Sequence, residues 1–184
     1  MRILGPSVLA MFAAIAGFAA DTPPKDSLAA EVQSVCLAGD RAIRTFALES
    51  QVEQLIPTHG VYAEGFGVVL LSDMNLVALS PLFGFAGPPS KEDIAKIHNA
   101  KLKKLTVVQD LLFGVLLSAS KSLTHLAPDE TILINVGLYN MEFEDRSGLP
   151  RAITLQAKKK DLLAAAAART SRADAAPVLK THIE

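Results

Sequence analysis

The residues that could do chemistry gather around one glycine-rich stretch. His59 precedes it, Glu64 stands beside Gly65-Phe66-Gly67, and Ser72-Asp73 closes the apolar run at 67–71. Hydroxyl, carboxylate and imidazole are the groups that nucleophilic hydrolysis needs, if base and nucleophile come within hydrogen-bond reach. His59, Glu64 and Asp73 are thus the three residues on which a small hydrolase with a site near 60–73 would rest. The surrounding motifs add nothing to it. There is no Gly-X-Ser-X-Gly turn. Gly65-Phe66-Gly67 leads into an expected strand, so no helix N-terminus stands ready for a phosphate.

The other polar constellations are sparser. Glu142 and Glu144 would share a strand face at a period of two, and Asp145 adds a third charge at the next turn. Such a trio could hold calcium or a basic partner, but the EF-hand spacing is absent and a solvated turn needs no ligand. His59, His98, His125 and His182 show no ligand spacing, and Cys36 alone cannot seed a thiolate site. No metal and no cofactor are expected, and no residue is assigned a catalytic role. Cys36 lies between Val35 and Leu37 and reads as a small buried core residue, with an intermolecular disulfide or a reactive thiol as the alternatives. Tyr62 and Tyr139 are the only tyrosines and Trp is absent, too few rings for a stacking platform. Lys101, Lys103 and Lys104 form a basic cluster smaller than anionic lipid requires.

Charge sorts by position. Residues 21–90 hold three basic and eight acidic side chains, 91–126 six and three, 127–145 none and five, and 146–184 eight and three. Blocks of this kind put opposite signs on different faces of one domain. The formal net charge of −1 argues against a protein that coats nucleic acid.

The elements that must position these residues begin after residue 20. Met1-Arg2 is a short basic start, residues 3–20 carry no charge, and Gly17-Phe18-Ala19 offers small residues for cleavage. These are the parts of a secretory signal. Export to the periplasm or medium is expected, with no stable membrane span after cleavage. Cys36 lies too far into the chain to serve as a lipid anchor. The expected organisation is a signal at 1–20, a polar leader at 21–26, one domain at 27–169 and a flexible tail at 170–184.

Within the domain, Ser27 could cap a short helix that turns at Gly39-Asp40; 41–49 is ambiguous, with Ile43, Thr45, Phe46 and Leu48 suiting a strand while 48–56 could be helical. Pro57-Thr58-His59-Gly60 reads as a break, and 61–77 as strand with a central core at 67–71. The apolar loop at 80–89, with Leu82 and Phe85, could lid a greasy cavity. Ser90-Lys91-Glu92-Asp93 resembles a capping box. It opens a helix to about residue 124 whose apolar stripe has a gap near Lys101. Unbroken, that helix would be about 52 Å long, against a radius of gyration near ~15 Å. It must bend, split near Gly114 or Thr106-Val107-Val108, or project and pair with another subunit. Strand at 131–143, turn at 144–150 and strand at 151–157 make a hairpin, and 158–169 a last helix.

The fold expected is α+β: an antiparallel or mixed sheet of about four strands, with the long central helix (about 90–124) and a C-terminal helix packed on one face. The function expected is non-catalytic: a binding or self-assembling exported domain. Its partner would be a second copy, through the long helix, or another exported protein. A small hydrolase and a carrier of small apolar ligands are the alternatives.

Overall fold

The computed structural model describes residues 25–78 and 89–183. The expected signal at 1–20 and the lid at Leu82 and Phe85 lie outside the described residues. The chain runs α1 (Lys25–Ser50), β1 (Glu53–Ala63), β2 (Gly67–Asn75), α2 (Lys91–Ser122), β3 (Thr131–Leu138), β4 (Ala152–Lys158), α3 (Lys159–Ala168) and β5 (Lys180–Ile183). The five strands form one sheet in chain order. β2 and β3, joined through α2, are parallel; the other neighbours are antiparallel. This is the α+β class expected, with a mixed sheet, a long central helix and a C-terminal helix.

One sheet face makes the core. Val68, Leu70 and Met74, Ile132, Ile134 and Val136, and Ile153 and Leu155 are fully buried at alternate strand positions. Leu28, Val32, Val35 and Ile43 of α1 join that core, as do Val108, Leu112, Leu116 and Ala119 of α2 and Leu162 of α3. The intervening strand positions, Leu71, Asp73, Asn135, Thr154 and Gln156 among them, are half-buried or exposed on the opposite face.

α1 corrects the first expectation. It is one helix through Gly39-Asp40 and through the ambiguous 41–49, and it ends at Gln51, whose φ is 53°. Leu28, Val32, Val35, Ile43 and Phe46 keep one side of it on the core. Asp40, which would favour a turn if left to itself, finds tertiary donors instead: the Thr58 N–H at 2.7 Å and Gln54 Nε2 at 2.8 Å.

The expected break at Pro57-Thr58-His59-Gly60 is the middle of β1. β1 is the edge of the sheet, where the N–H that proline lacks is not needed by a neighbour. Its pairing with β2 shifts register between Gln54 and Ile56 and again between Ile56 and His59. At Gly60 the α1 helix comes so close that a Cβ would sit 2.6 Å from Val32 Cγ1 and 2.8 Å from Cys36 Sγ.

α2 starts with a complete capping box: Ser90 Oγ accepts from the Asp93 N–H and the Asp93 carboxylate accepts from the Ser90 N–H. It neither splits at Gly114 nor at Thr106-Val107-Val108. Its second half, expected to pair with another subunit if the helix projected, is buried in the chain's own core. The gap at Lys101 is a buried position, with the ammonium paired to Glu144. The basic cluster is thereby dispersed, since Lys104 donates to the carbonyls of Gln51 and Leu76 and only Lys103 is exposed.

β3 stops at Leu138, five residues short of the strand expected, because 139–151 folds back over Lys101. The segment expected as a loose tail forms turns that bury Ala175 and Leu179, and then β5 on the free edge of β4.

Candidate functional site

The three residues of the hydrolase reading do not meet. His59 faces Leu71 across the β1–β2 ladder, on the open sheet face that also carries Asp73. Glu64 lies at the β1–β2 turn, next to the Ala63↔Gly67 pair, six residues along β2 from Asp73. At about 3.3 Å per residue that separation is ~20 Å, beyond any shared proton. The Asp73 carboxylate lies over Gly137, where a Cβ would be 2.3 Å from Oδ1.

The acidic trio is broken up as well. Glu142 and Asp145 are exposed while Glu144 is buried against Lys101, so Glu142 and Glu144 share no strand face. Asp145 accepts from the Ser147 N–H at 2.9 Å, and its carbonyl lies 3.0 Å from His98 Nδ1. Among the described residues, no three of His, Cys, Asp and Glu gather closely enough to hold a metal ion.

What the fold does build is a groove of about 1000 Å³ along the free edge of β1. Its wall is the flank of α1 turned away from α2, with Leu28, Val32, Cys36 and Leu37. Its floor is β1 from Thr58 to Tyr62, and the loop between α2 and β3 closes one end with His125 and Glu130. The volume falls at the top of the range of about 300–1,000 Å³ usual for ligand sites. Comparison with known protein families, curated proteins and solved structures finds no match. The groove's own chemistry is then what speaks to function.

Two polar clusters hold the groove in shape. Glu31 of α1 accepts from Thr124 Oγ1 and from the His125 N–H at 3.0 Å, and its Oε1 lies 2.8 Å from His125 Nδ1. Burial alone would raise the Glu31 pKa; the hydrogen bonds from Thr124 and His125 outweigh it and hold the carboxyl below its ordinary value. Lys159, buried at the start of α3, donates to the carbonyls of Leu126 at 2.6 Å and Thr124 at 3.3 Å, which fixes the loop carrying His125. At the other cluster the Tyr62 hydroxyl donates to Glu130 Oε1 at 2.7 Å, and Glu130 Oε2 accepts from the Ala127 N–H. Together they tie the start of α1 and the end of β1 to the same loop.

Cys36 is half-buried in the groove wall. Burial, with the Asp40 charge behind it, pushes its thiol pKa up. A thiol kept protonated is a poor nucleophile. His59 and His125 both line the groove, but His125 is committed to Glu31.

Most of this site lay beyond sequence reasoning. Leu37, 56% exposed, falls off the core stripe of α1 and is a local signal of a second apolar surface. Glu31 meets His125 across 94 residues and Tyr62 meets Glu130 across 68, which no spacing rule encodes. The acidic bias of 21–90 did foreshadow the rim: Asp40 and Glu64 come from it.

Proposed function

We propose that the chain is an exported, non-catalytic binding domain and that the groove between α1 and β1 is its binding site. The observation that carries this reading is the groove itself. It is large, it has a continuous apolar wall, and its polar rim is held by hydrogen bonds within the chain. Glu64 lies about 20 Å along β2 from Asp73, so the three residues of the hydrolase reading do not share one site. The apolar half of α2, the surface first expected for self-assembly, is used inside the chain.

Ala29 is exposed and lines the groove, so Ala29→Trp fills the site without touching the core. A neutral solvatochromic dye such as Nile red is expected to bind the native protein saturably, with one site per chain. Ala29→Trp weakens that binding about tenfold, the equivalent of about 1.4 kcal/mol, and leaves the melting temperature unchanged. A linear, unsaturable rise in fluorescence, or equal binding by Ala29→Trp, overturns the reading. Export has its own check: the mature protein recovered from cells begins after Ala16 and no later than Asp21. A mature chain that retains Met1 refutes it.

A further inference from the structure

β1 is the edge of the sheet, and among the described residues no strand pairs with its outer side. An edge strand leaves alternate N–H and C=O groups unpaired, and proteins guard such edges with proline, bulges and charge. In β1 the guards are unevenly placed. Pro57 and both register shifts fall in the first half, 53–58. From His59 to Ala63 the pairing with β2 is regular, with Gly60↔Leu70, Val61↔Val69, Tyr62↔Val68 and Ala63↔Gly67. That unguarded half is the part of the edge that lines the groove.

α1 runs alongside it in the opposite direction: Asp40 bonds the Thr58 N–H, while Val32 and Cys36 lie over Gly60 further along β1. A strand laid against β1 would therefore keep α1 beside it along its length. Side chains at every second position would meet Leu28, Val32, Cys36 and Leu37. The rim has a sign too. Asp40, Glu64 and Glu130 line the groove, and among the described residues no Lys or Arg does. Asp40 and Glu130 already accept hydrogen bonds from within the chain, whereas Glu64 is exposed where β1 ends.

We infer that the groove takes an extended peptide of alternating apolar and basic residues, which joins β1 as an additional edge strand along 59–63. This deepens the binding reading above and rests on it. Main-chain hydrogen bonds supply affinity and the α1 wall selects the alternate side chains, as in strand addition generally. The carboxylates select against anionic occupants. A fatty acid would bring its own carboxylate to Asp40, Glu64 and Glu130. A second copy pairing edge to edge would bring β1 strands that carry Glu53 and no Lys or Arg.

The test uses the full chain and three synthetic probes: an alternating Val–Lys peptide, the same peptide N-methylated at every second amide, and an alternating Val–Glu peptide. The Val–Lys peptide is expected to displace Nile red and to shift the backbone amide resonances of 59–63. N-methylation removes main-chain donors worth about 1 kcal/mol each and weakens binding about tenfold or more. Glu64→Gln weakens the Val–Lys peptide, and the Val–Glu peptide does not bind. Equal binding by the N-methylated or the acidic peptide, or shifts confined to β5 at the other edge, overturns the inference. So does self-association through β1 in sedimentation. If the dye binds and no peptide displaces it, the peptide inference fails and the binding reading stands; if the dye does not bind, both fall.

Discussion

Gly67→Ala is expected to cost the fold about 3–5 kcal/mol, from strain of ~1–3 kcal/mol at a backbone conformation alanine rarely adopts and a similar overpacking term. Gly67 has φ +130°, and a Cβ built there would lie 2.0 Å from the Thr131 carbonyl oxygen and 2.7 Å from the Thr131 nitrogen. Both contacts are backbone, so no rotamer change relieves them. Gly67↔Thr131 is the first rung of the parallel β2–β3 ladder, and Thr131 N–H also donates to the Phe66 carbonyl at 2.8 Å. The alanine must open the ladder at the end from which the two central strands run. For a chain of this size the loss lowers the melting temperature by about 10 °C or more. Gly65→Ala is the control, with φ +77° and no atom within 4 Å of the new Cβ. It pays only the conformational cost, about 1 kcal/mol. Denaturant unfolding that gives the two variants equal stability would refute the steric account of Gly67.

The second large effect is at Lys101 and Glu144. Their side chains are each 1% exposed and paired with one another. Lys101 Nζ also donates to the Tyr139 carbonyl at 2.9 Å and to Asn140 Oδ1 at 3.0 Å. Glu144 Oε1 is buried without a hydrogen-bond partner among the described residues. Burial pushes the Lys101 pKa down, and Glu144 recovers only part of the shift. The pair is the anchor by which 139–151 folds back on α2. Lys101→Met or Glu144→Gln leaves the other group buried and uncompensated, at a cost of about 3–5 kcal/mol. Removing both, as Lys101→Met with Glu144→Leu, is expected to cost far less than the sum, because neither charge is then stranded. A double-mutant cycle in denaturant measures the coupling. Additive losses below about 1 kcal/mol each would show that the pair does not hold the loop.

Where local rules governed the outcome, the sequence was legible. The Ser90 capping box and the three-and-four spacing after it placed α2 to within a residue or two at each end. The alternation of Ile132, Ile134 and Val136 placed β3, and the unbroken run at 67–71 marked β2 as central. Elsewhere a distant partner overrode the local signal. Pro57 reads as a break until β1 is known to be an edge. Gly39-Asp40 reads as a turn until Thr58 and Gln54 take up the Asp40 carboxylate. Lys101 reads as a gap in the apolar stripe until Glu144, 43 residues on, is folded over it. The five residues after Leu138 could have extended a strand, but that buried ammonium draws their carbonyl and amide oxygens instead.

The candidate site divides in the same way. Composition told the sign of the rim, since residues 21–90 are acidic wherever they end up. It also told that nothing in the chain matched a known catalytic or metal-binding spacing, and the fold then set Glu64 apart from Asp73. By itself the sequence determined the class of fold, its long capped helix and its central strands, because hydrophobic period and capping act within a few residues. The tertiary structure alone decided that α1 lies along an edge strand, that Glu31 and Tyr62 meet the loop carrying His125 and Glu130, and that a groove results. Those contacts join residues far apart in the chain, and their energies exist only once the core has brought the elements together.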